Sequence, residues 1–279
     1  MGQGVTVSPM RIATWNINSV RTRQERVRDF LTRSDVDVLC LQETKCTDKQ
    51  FPDFTDMGYE QAHFGLHSFN GVAILSRVGL DGVKTNFGQP GFDKDLTQTQ
   101  NLEARAIGAN CDGVEVWSLY VPNGREICDP HYTYKLRWLE ALARYTRGEI
   151  PAATSADTAS EAIEPAANKL CLVGDFNIAP RDEDVWDRAH FDGKTHVTPN
   201  ERACLQELEE AGLEQTTKLV EDEYTYWDYQ ALRFQKGEGM RIDLQYARGM
   251  TATAARVDRD ERKGKGASDH APVIVDYEV

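Results

Sequence analysis

The 279-residue sequence predicts an α/β fold in which two packed mixed β-sheets are flanked by helices. Short apolar runs of strand length alternate with amphipathic stretches of helix length along most of the chain. The C-terminal third returns to strands in hairpin-like pairs, a pattern foreign to a purely parallel wound sheet. Gly, Pro and Asn stand at the ends of the runs, as turn chemistry requires.

The first elements form a β-α-β opening: Met10 to Asn16 (MRIATWN) and Val36 to Gln42 (VDVLCLQ) read as strands around an arginine-rich, helix-length stretch from Val20 to Thr32. Further strands are predicted at Gly71 to Arg77, Ala104 to Ala109, Val114 to Val121 and Lys169 to Gly174. Tyr134 to Tyr145 reads as a helix, with Leu136, Leu139, Leu142 and Ala143 at helical spacing. A second helix is predicted over Pro199 to Ala211, with Thr198 as N-cap and Pro199 at the first helical position. Met240 to Tyr246, Thr251 to Val257 and Ala271 to Tyr277 complete the strands. Residues 10–279 are expected to form one domain, residues 1–9 a disordered tail without a secretory signal, and 151–168 a flexible insertion. That last segment is rich in Ala, Ser, Thr and Pro and has too little apolar surface to offset its ordering entropy.

Composition narrows the function classes. With 40% hydrophobic and 28% charged residues the chain is of ordinary globular type, and no apolar run approaches the roughly 20 residues of a membrane span. The six cysteines include no CxxC pair, which argues against a zinc knuckle or redox dithiol and for a reduced, cytoplasmic protein, associated with the nucleoid if prokaryotic. The formal charge is 32 − 45 = −13.

The chemistry-bearing residues stand at the ends of apolar strands, where open α/β folds collect their sites. Asn16 and Asn18 follow the first strand, Glu43 the second, Asp175 and Asn177 lie in GDFN, Asp243 in RIDLQY, and Asp269 with His270 in SDHAP. Unpaired carboxylates beside a core are costly, and a divalent ion relieves that cost. Without a thiolate or histidine cluster, oxygen ligands point to Mg²⁺ or Mn²⁺. A histidine beside an acid works as an acid, a base or a cation on a phosphate.

Taken in order, TWNIN, LQETK, GVAILSR, YVPNG, GDFN, TPNER, YWDY, RIDL and SDHAPV, running from about Met10 to the C-terminus, closely resemble the exonuclease III branch of the AP endonucleases. The resemblance implies a four-layer α/β sandwich and a metal-dependent DNA repair nuclease that cuts 5′ to abasic sites and trims 3′ ends of duplex DNA, working as a monomer without a membrane. It implies that Glu43 ligates Mg²⁺ (or Mn²⁺), helped by Asn18 and Asp269. Asp175 orients or deprotonates the attacking water, Asn177 bonds the developing charge, and Asp243 holds His270 against the scissile phosphate. Asn16 and Tyr120 complete the phosphate pocket. Tyr226, Met240 and Ile242, with Trp227 nearby, line the sugar pocket, and Asn123 of the YVPNG segment and Arg125 just after it contact substrate. Met240 stands where some relatives carry Trp.

Two other readings compete. A phosphatase or phosphodiesterase acting on inositol or lipid phosphates needs a basic head-group pocket, which the sequence does not display. A catalytically idle DNA-binding member predicts broken site residues, yet all are present. The negative net charge further predicts that Arg11, Arg21, Arg23, Arg26 and Arg28 gather near the site, making DNA binding salt-sensitive.

Overall fold

The computed structural model describes residues 9–93, 103–150, 152 and 166–279. Residues 1–8 of the expected tail and most of the 151–168 insertion lie outside the described residues; Pro9, expected in the tail, instead begins the first strand, paired with Glu278. Within the insertion, Ala167 is anchored: its N–H donates to Glu115 Oε2 at 2.8 Å and its carbonyl accepts from Arg248.

In chain order the strands are β1 (Pro9–Asn16), β2 (Val38–Gln42), β3 (Glu60–Phe64), β4 (Val72–Ser76), β5 (Asp81–Lys84), β6 (Ala106–Cys111), β7 (Val114–Tyr120), β8 (Leu170–Asp175), β9 (Glu214–Gln215), β10 (Asp243–Arg248), β11 (Thr251–Val257) and β12 (Val273–Glu278). The α-helices are α1 (Gln24–Ser34), α2 (Pro130–Thr146), α3 (Pro199–Glu210) and the single turn α4 (Arg233–Lys236). One six-stranded sheet has the order β11-β12-β1-β2-β4-β3 and the other β5-β6-β7-β8-β10-β9. Among the described residues only β1–β2 and β7–β8 pair in parallel, so both sheets are mixed.

The sheets face each other through Ile12, Val38, Cys40 and Ile74 on one side and Ile107, Val116, Cys171 and Val173 on the other. The outer face of the first sheet is covered by Val27, Phe30 and Leu31 of α1. Trp138, Leu139 and Leu142 of α2 and Leu205 and Leu208 of α3 cover the second. Helix, sheet, sheet, helix gives the four-layer sandwich. Burial on both faces is why these strands read as near-continuous apolar runs. Polar side chains bolt the sheets together beneath the site: Gln42 Nε2 donates to Ser118 Oγ at 3.0 Å, and Gln245 Nε2 donates to Ile12 O at 3.1 Å.

The Thr198 cap forms as predicted, its hydroxyl accepting from Glu201 N–H while the Glu201 carboxylate accepts from Thr198 N–H at 3.0 Å. Helix α2 starts a turn earlier than its apolar spacing indicates, because Asp129 caps it ahead of Pro130. Residues 240–242 leave the predicted strand: Met240 bridges Val185 and Tyr226 instead of joining the sheet.

Gly174, inside β8, has φ +150, and a Cβ there would lie 1.9 Å from Leu119 O on the parallel neighbour β7. Gly174→Ala is therefore expected to destabilise the fold by about 1–3 kcal/mol or more, read by urea unfolding.

Candidate active site

The carboxyl ends of β1, β2, β7 and β8 meet at one end of the sandwich. Asn16, the last residue of β1, donates from Nδ2 to Glu43 Oε1 and to Asp175 Oδ2, both at 2.9 Å, joining the two sheets. Just past the strand ends the chain turns sharply, with Asn18 at φ 45, Glu43 at φ 50 and Asn177 at φ 52. Asn tolerates this left-handed region, whereas Glu43 is held there at a conformational cost, as is common where geometry serves a site.

Strand β10 runs antiparallel to β8 with Asp243 opposite Asp175. Asp243 Oδ2 lies 2.8 Å from His270 Nδ1, and His270 Nε2 lies 3.8 Å from Asp175 Oδ2. All three groups are buried. Burial pushes the Asp175 carboxyl up to about 7, against the pull of the His270 charge and with added repulsion from Asp243. Burial opposes protonation of His270, yet Asp243, with Asp175 and Asp269 behind it, lifts the imidazole to about 10. The ring is therefore a cation at neutral pH, with Nδ1–H bonded to Asp243 and Nε2–H facing Asp175. The other oxygen of Asp175 accepts from Asn177 N–H at 2.9 Å.

Beside this trio, Glu43, Asn18 and Asp269 form a set of oxygen donors. Asn18 Nδ2 donates to Asp269 Oδ1 at 2.9 Å. Glu43 Oε2 and Asn18 Oδ1 converge on a cation already, the Lys45 ammonium, at 2.8 and 2.6 Å. Burial raises the Glu43 carboxyl, but Lys45 and Asn16 outweigh it and hold the group below its ordinary value. Hard oxygen donors gathered around a positive centre fit Mg²⁺ or Mn²⁺. The ligating atoms of Asp175, Asp243 and His270 also lie within 4.8 Å of one another. There the imidazolium supplies the positive charge, leaving Glu43, Asn18 and Asp269 as the better donors for an ion.

A cavity of about 150 Å³ opens onto these groups, walled by Tyr120, Asn123, Asn177, Tyr226, Met240 and Ile242. Asn123 Nδ2 donates to Asn177 Oδ1 at 3.0 Å, fixing the amide of Asn177, whose Nδ2 donates to Val121 O. Burial, reinforced by the Glu43 charge, raises the Tyr120 phenol, which stays protonated as a donor. The Tyr226 ring lies 4.8 Å from the imidazole of His270.

Sequence and structure comparisons bear on this geometry. The model of the endonuclease/exonuclease/phosphatase family matches residues 13–270. The chain belongs to that family. Among its relatives, exodeoxyribonuclease III of Haemophilus influenzae is 25% identical across 96% of this chain and all of its own length. The solved structure of the Neisseria 3′ phosphatase NExo, bound to a product DNA hairpin, is 32% identical with a TM-score of 0.82 and covers 97% of this chain and 100% of that one. An AP endonuclease from Archaeoglobus fulgidus is 29% identical with a TM-score of 0.79, covering 95% and 98%. The protein is a nuclease-type hydrolase of the endonuclease/exonuclease/phosphatase family, with a buried acidic and histidine cluster at its centre.

Several expectations require correction in this family member. Trp227 does not line the cavity: successive residues of an extended segment point to opposite sides, so Tyr226 faces His270 while Trp227 is fully buried against Phe234 at 5.2 Å. Its backbone N–H donates to Asp269 O at 2.9 Å, which makes it a support for the Asp269–His270 turn. Arg125 is not among the residues that line this cavity, and its side chain is 61% exposed. The five arginines do not gather as free cations at the site. Arg11 pairs with Asp276, Arg26 with Glu261 and Arg28 with Asp56. Arg23 packs beneath the site, donating to Asn18 O and Tyr229 OH, so Arg21 is the exposed cation of the group.

Two residues near the centre escaped sequence reasoning. Lys135, on α2, is wholly buried; its ammonium donates to Asn177 O at 2.7 Å and Glu201 Oε1 at 2.6 Å. His196, in the loop before α3, forms part of the cavity wall, and its Nδ1–H donates to Asn177 O at 2.5 Å. Burial and then the Lys135 charge push the His196 imidazole down to about 4. Below an ordinary histidine value of about 6.5 the unfolded chain takes up a proton that the folded chain refuses, so stability falls as pH drops from 6.5 toward 4. His196→Asn is expected to flatten that slope in melting temperatures measured across the window.

Proposed function

We propose that this chain is a DNA repair nuclease that hydrolyses the phosphodiester 5′ to abasic sites and trims 3′ ends of duplex DNA, dependent on Mg²⁺ or Mn²⁺. The observation that carries the reading is the buried Asp175–His270–Asp243 relay set directly beside the oxygen donors of Glu43, Asn18 and Asp269. Phosphodiester hydrolysis needs a positioned water, neutralised phosphate oxygens and a protonated leaving group.

Asp175, with a carboxyl near neutrality, accepts a proton from the water it orients. The His270 cation, held in place by Asp243, donates to a phosphate oxygen from Nε2. Asn16 and Asn177 fix the Asp175 carboxylate, and the Tyr120 hydroxyl adds a donor at the cavity wall. Glu43, with Asn18 and Asp269, holds the divalent ion, which when bound supplies Lewis-acid neutralisation of phosphate charge. Relatives named for 3′ phosphatase, exonuclease and AP endonuclease activity support the same substrate class.

The test is a substrate panel in Mg²⁺: a duplex with one abasic analogue, a duplex with a 3′-phosphate, an undamaged duplex and an inositol phosphate. Nicking of the abasic duplex and removal of the 3′ group are expected; turnover of the inositol phosphate alone contradicts the proposal. Because Arg11, Arg26 and Arg28 are each paired with an acid, DNA affinity is expected to fall with salt at a log–log slope of about −2 to −4, shallower than that of a strongly basic binder. A flat plot from fluorescence anisotropy contradicts phosphate contacts at the rim.

A further inference from the structure

A second cavity of about 900 Å³ adjoins the catalytic one and shares His196, Tyr226 and Met240 with it as a common wall. The catalytic cavity is smaller than the ~300–1,000 Å³ typical of small-molecule sites, whereas its neighbour lies within that range. A whole nucleotide therefore needs both.

The lining of the larger cavity indicates which part it takes. Trp186, His190 and Phe191 build an aromatic wall, with ring centroids 4.9 Å apart for the first pair and 5.2 Å for the second. The Arg233 guanidinium lies 4.9 Å over the Trp186 ring, and Lys194 Nζ lies 5.8 Å from the Phe191 centroid. Arg125, Lys194 and Arg233 are balanced by Glu126, Asp228 and Glu238, and Arg233 is bonded to Glu238 at 2.5 Å. A track for the phosphate backbone carries net positive charge. A charge-balanced cavity with an aromatic wall and carboxylate acceptors suits a flat heteroaromatic ring with N–H groups at its edge.

We infer that this cavity binds the nucleobase of the nucleotide whose 5′-phosphate lies at Asp175 and His270, a specificity determinant for removal of base-bearing 3′-terminal nucleotides. The inference rests on the DNA nuclease reading above. In the reaction it serves, water oxygen bonds to phosphorus as its proton passes to Asp175, the P–O3′ bond breaks, the departing 3′ oxygen takes a proton from solvent, and the terminal nucleotide leaves as its 5′-monophosphate. Its base remains stacked in the larger cavity until release. An abasic sugar reaches the shared wall and leaves that cavity unfilled.

The test compares deoxyadenosine 5′-monophosphate with 2-deoxyribose 5-phosphate, titrated calorimetrically into the full chain. The nucleotide is expected to bind about ten-fold more tightly, as stacking on an aromatic side chain provides. Trp186→Ala should remove the difference and Trp186→Phe preserve it; His190→Ala, on a half-buried turn, gives a second truncation should Trp186→Ala fail to fold. In parallel, Trp186→Ala should slow release of 3′-terminal nucleotides from a duplex about ten-fold and change incision at an abasic analogue less than two-fold. Equal affinities for the two ligands, or a difference that survives both truncations, overturns the inference even where DNA is cleaved. Absence of all DNA cleavage overturns the nuclease reading instead, and the titration still reports on the cavity.

Discussion

Asp175→Asn is expected to slow phosphodiester hydrolysis by roughly 10²–10⁴-fold with the fold intact, measured as a single-turnover nicking rate. Asparagine matches the carboxylate in shape and keeps an oxygen to accept from Asn177 N–H, but it cannot take a proton from water. Stability should move the opposite way. Burial raises the Asp175 carboxyl to about 7, so the ionised group opposes folding at every pH above its unfolded value. Removing that charge should leave the melting temperature at pH 8 unchanged or higher, a trade of stability against activity common at catalytic groups. A variant with near-normal activity contradicts the assignment of the proton acceptor.

Lys135→Met is expected to destabilise the protein by about 3–5 kcal/mol, because it strands Glu201 as a buried, uncompensated charge. Both side chains of the pair are 0% exposed. Burial lowers the Lys135 ammonium against the opposing pull of Glu201, yet the bonds it donates hold Asn177 O and Asn123 O as well. The same substitution should therefore loosen the cavity wall and reduce nicking. Combining it with Glu201→Gln should recover part of the lost stability, since the stranded charge is gone. Urea unfolding of the single and double variants measures this; a single-variant loss below ~1 kcal/mol contradicts the pairing.

The central strands were legible because β1, β2, β4, β7 and β8 are buried on both faces and so spell unbroken apolar runs. The strands that escaped notice, β3, β5 and β9, all lie at sheet edges, where short polar segments such as EQAHF and DGVK carry no alternation to read. Met240 to Ile242 reads as strand because apolar Met240 and Ile242 alternate with Arg241, but those two apolar side chains serve the cavity wall and not a ladder. The acids, amides and histidine at the strand ends were recognisable by residue type and by the order of their motifs. Trp227 reads as a pocket residue in the sequence because proximity to Tyr226 does not reveal side-chain direction. Lys135 is not legible in the sequence because a lysine on a helix ordinarily faces solvent, and its partner Glu201 lies in a distant element. Nor does a run of arginines disclose that Arg11, Arg26 and Arg28 each meet an acid supplied by another part of the fold.

The central claim is that the Asp175–His270–Asp243 relay and the Glu43–Asn18–Asp269 donors act together on a DNA phosphodiester. The most direct test is cleavage of an end-labelled duplex carrying one abasic analogue, with Mg²⁺, with EDTA, and with Mg²⁺ restored in excess. The predicted result is a nick immediately 5′ to the analogue, leaving a 3′-hydroxyl, lost in EDTA and regained with Mg²⁺. A folded protein that leaves this duplex intact in Mg²⁺, or cuts it equally well in EDTA, would contradict it.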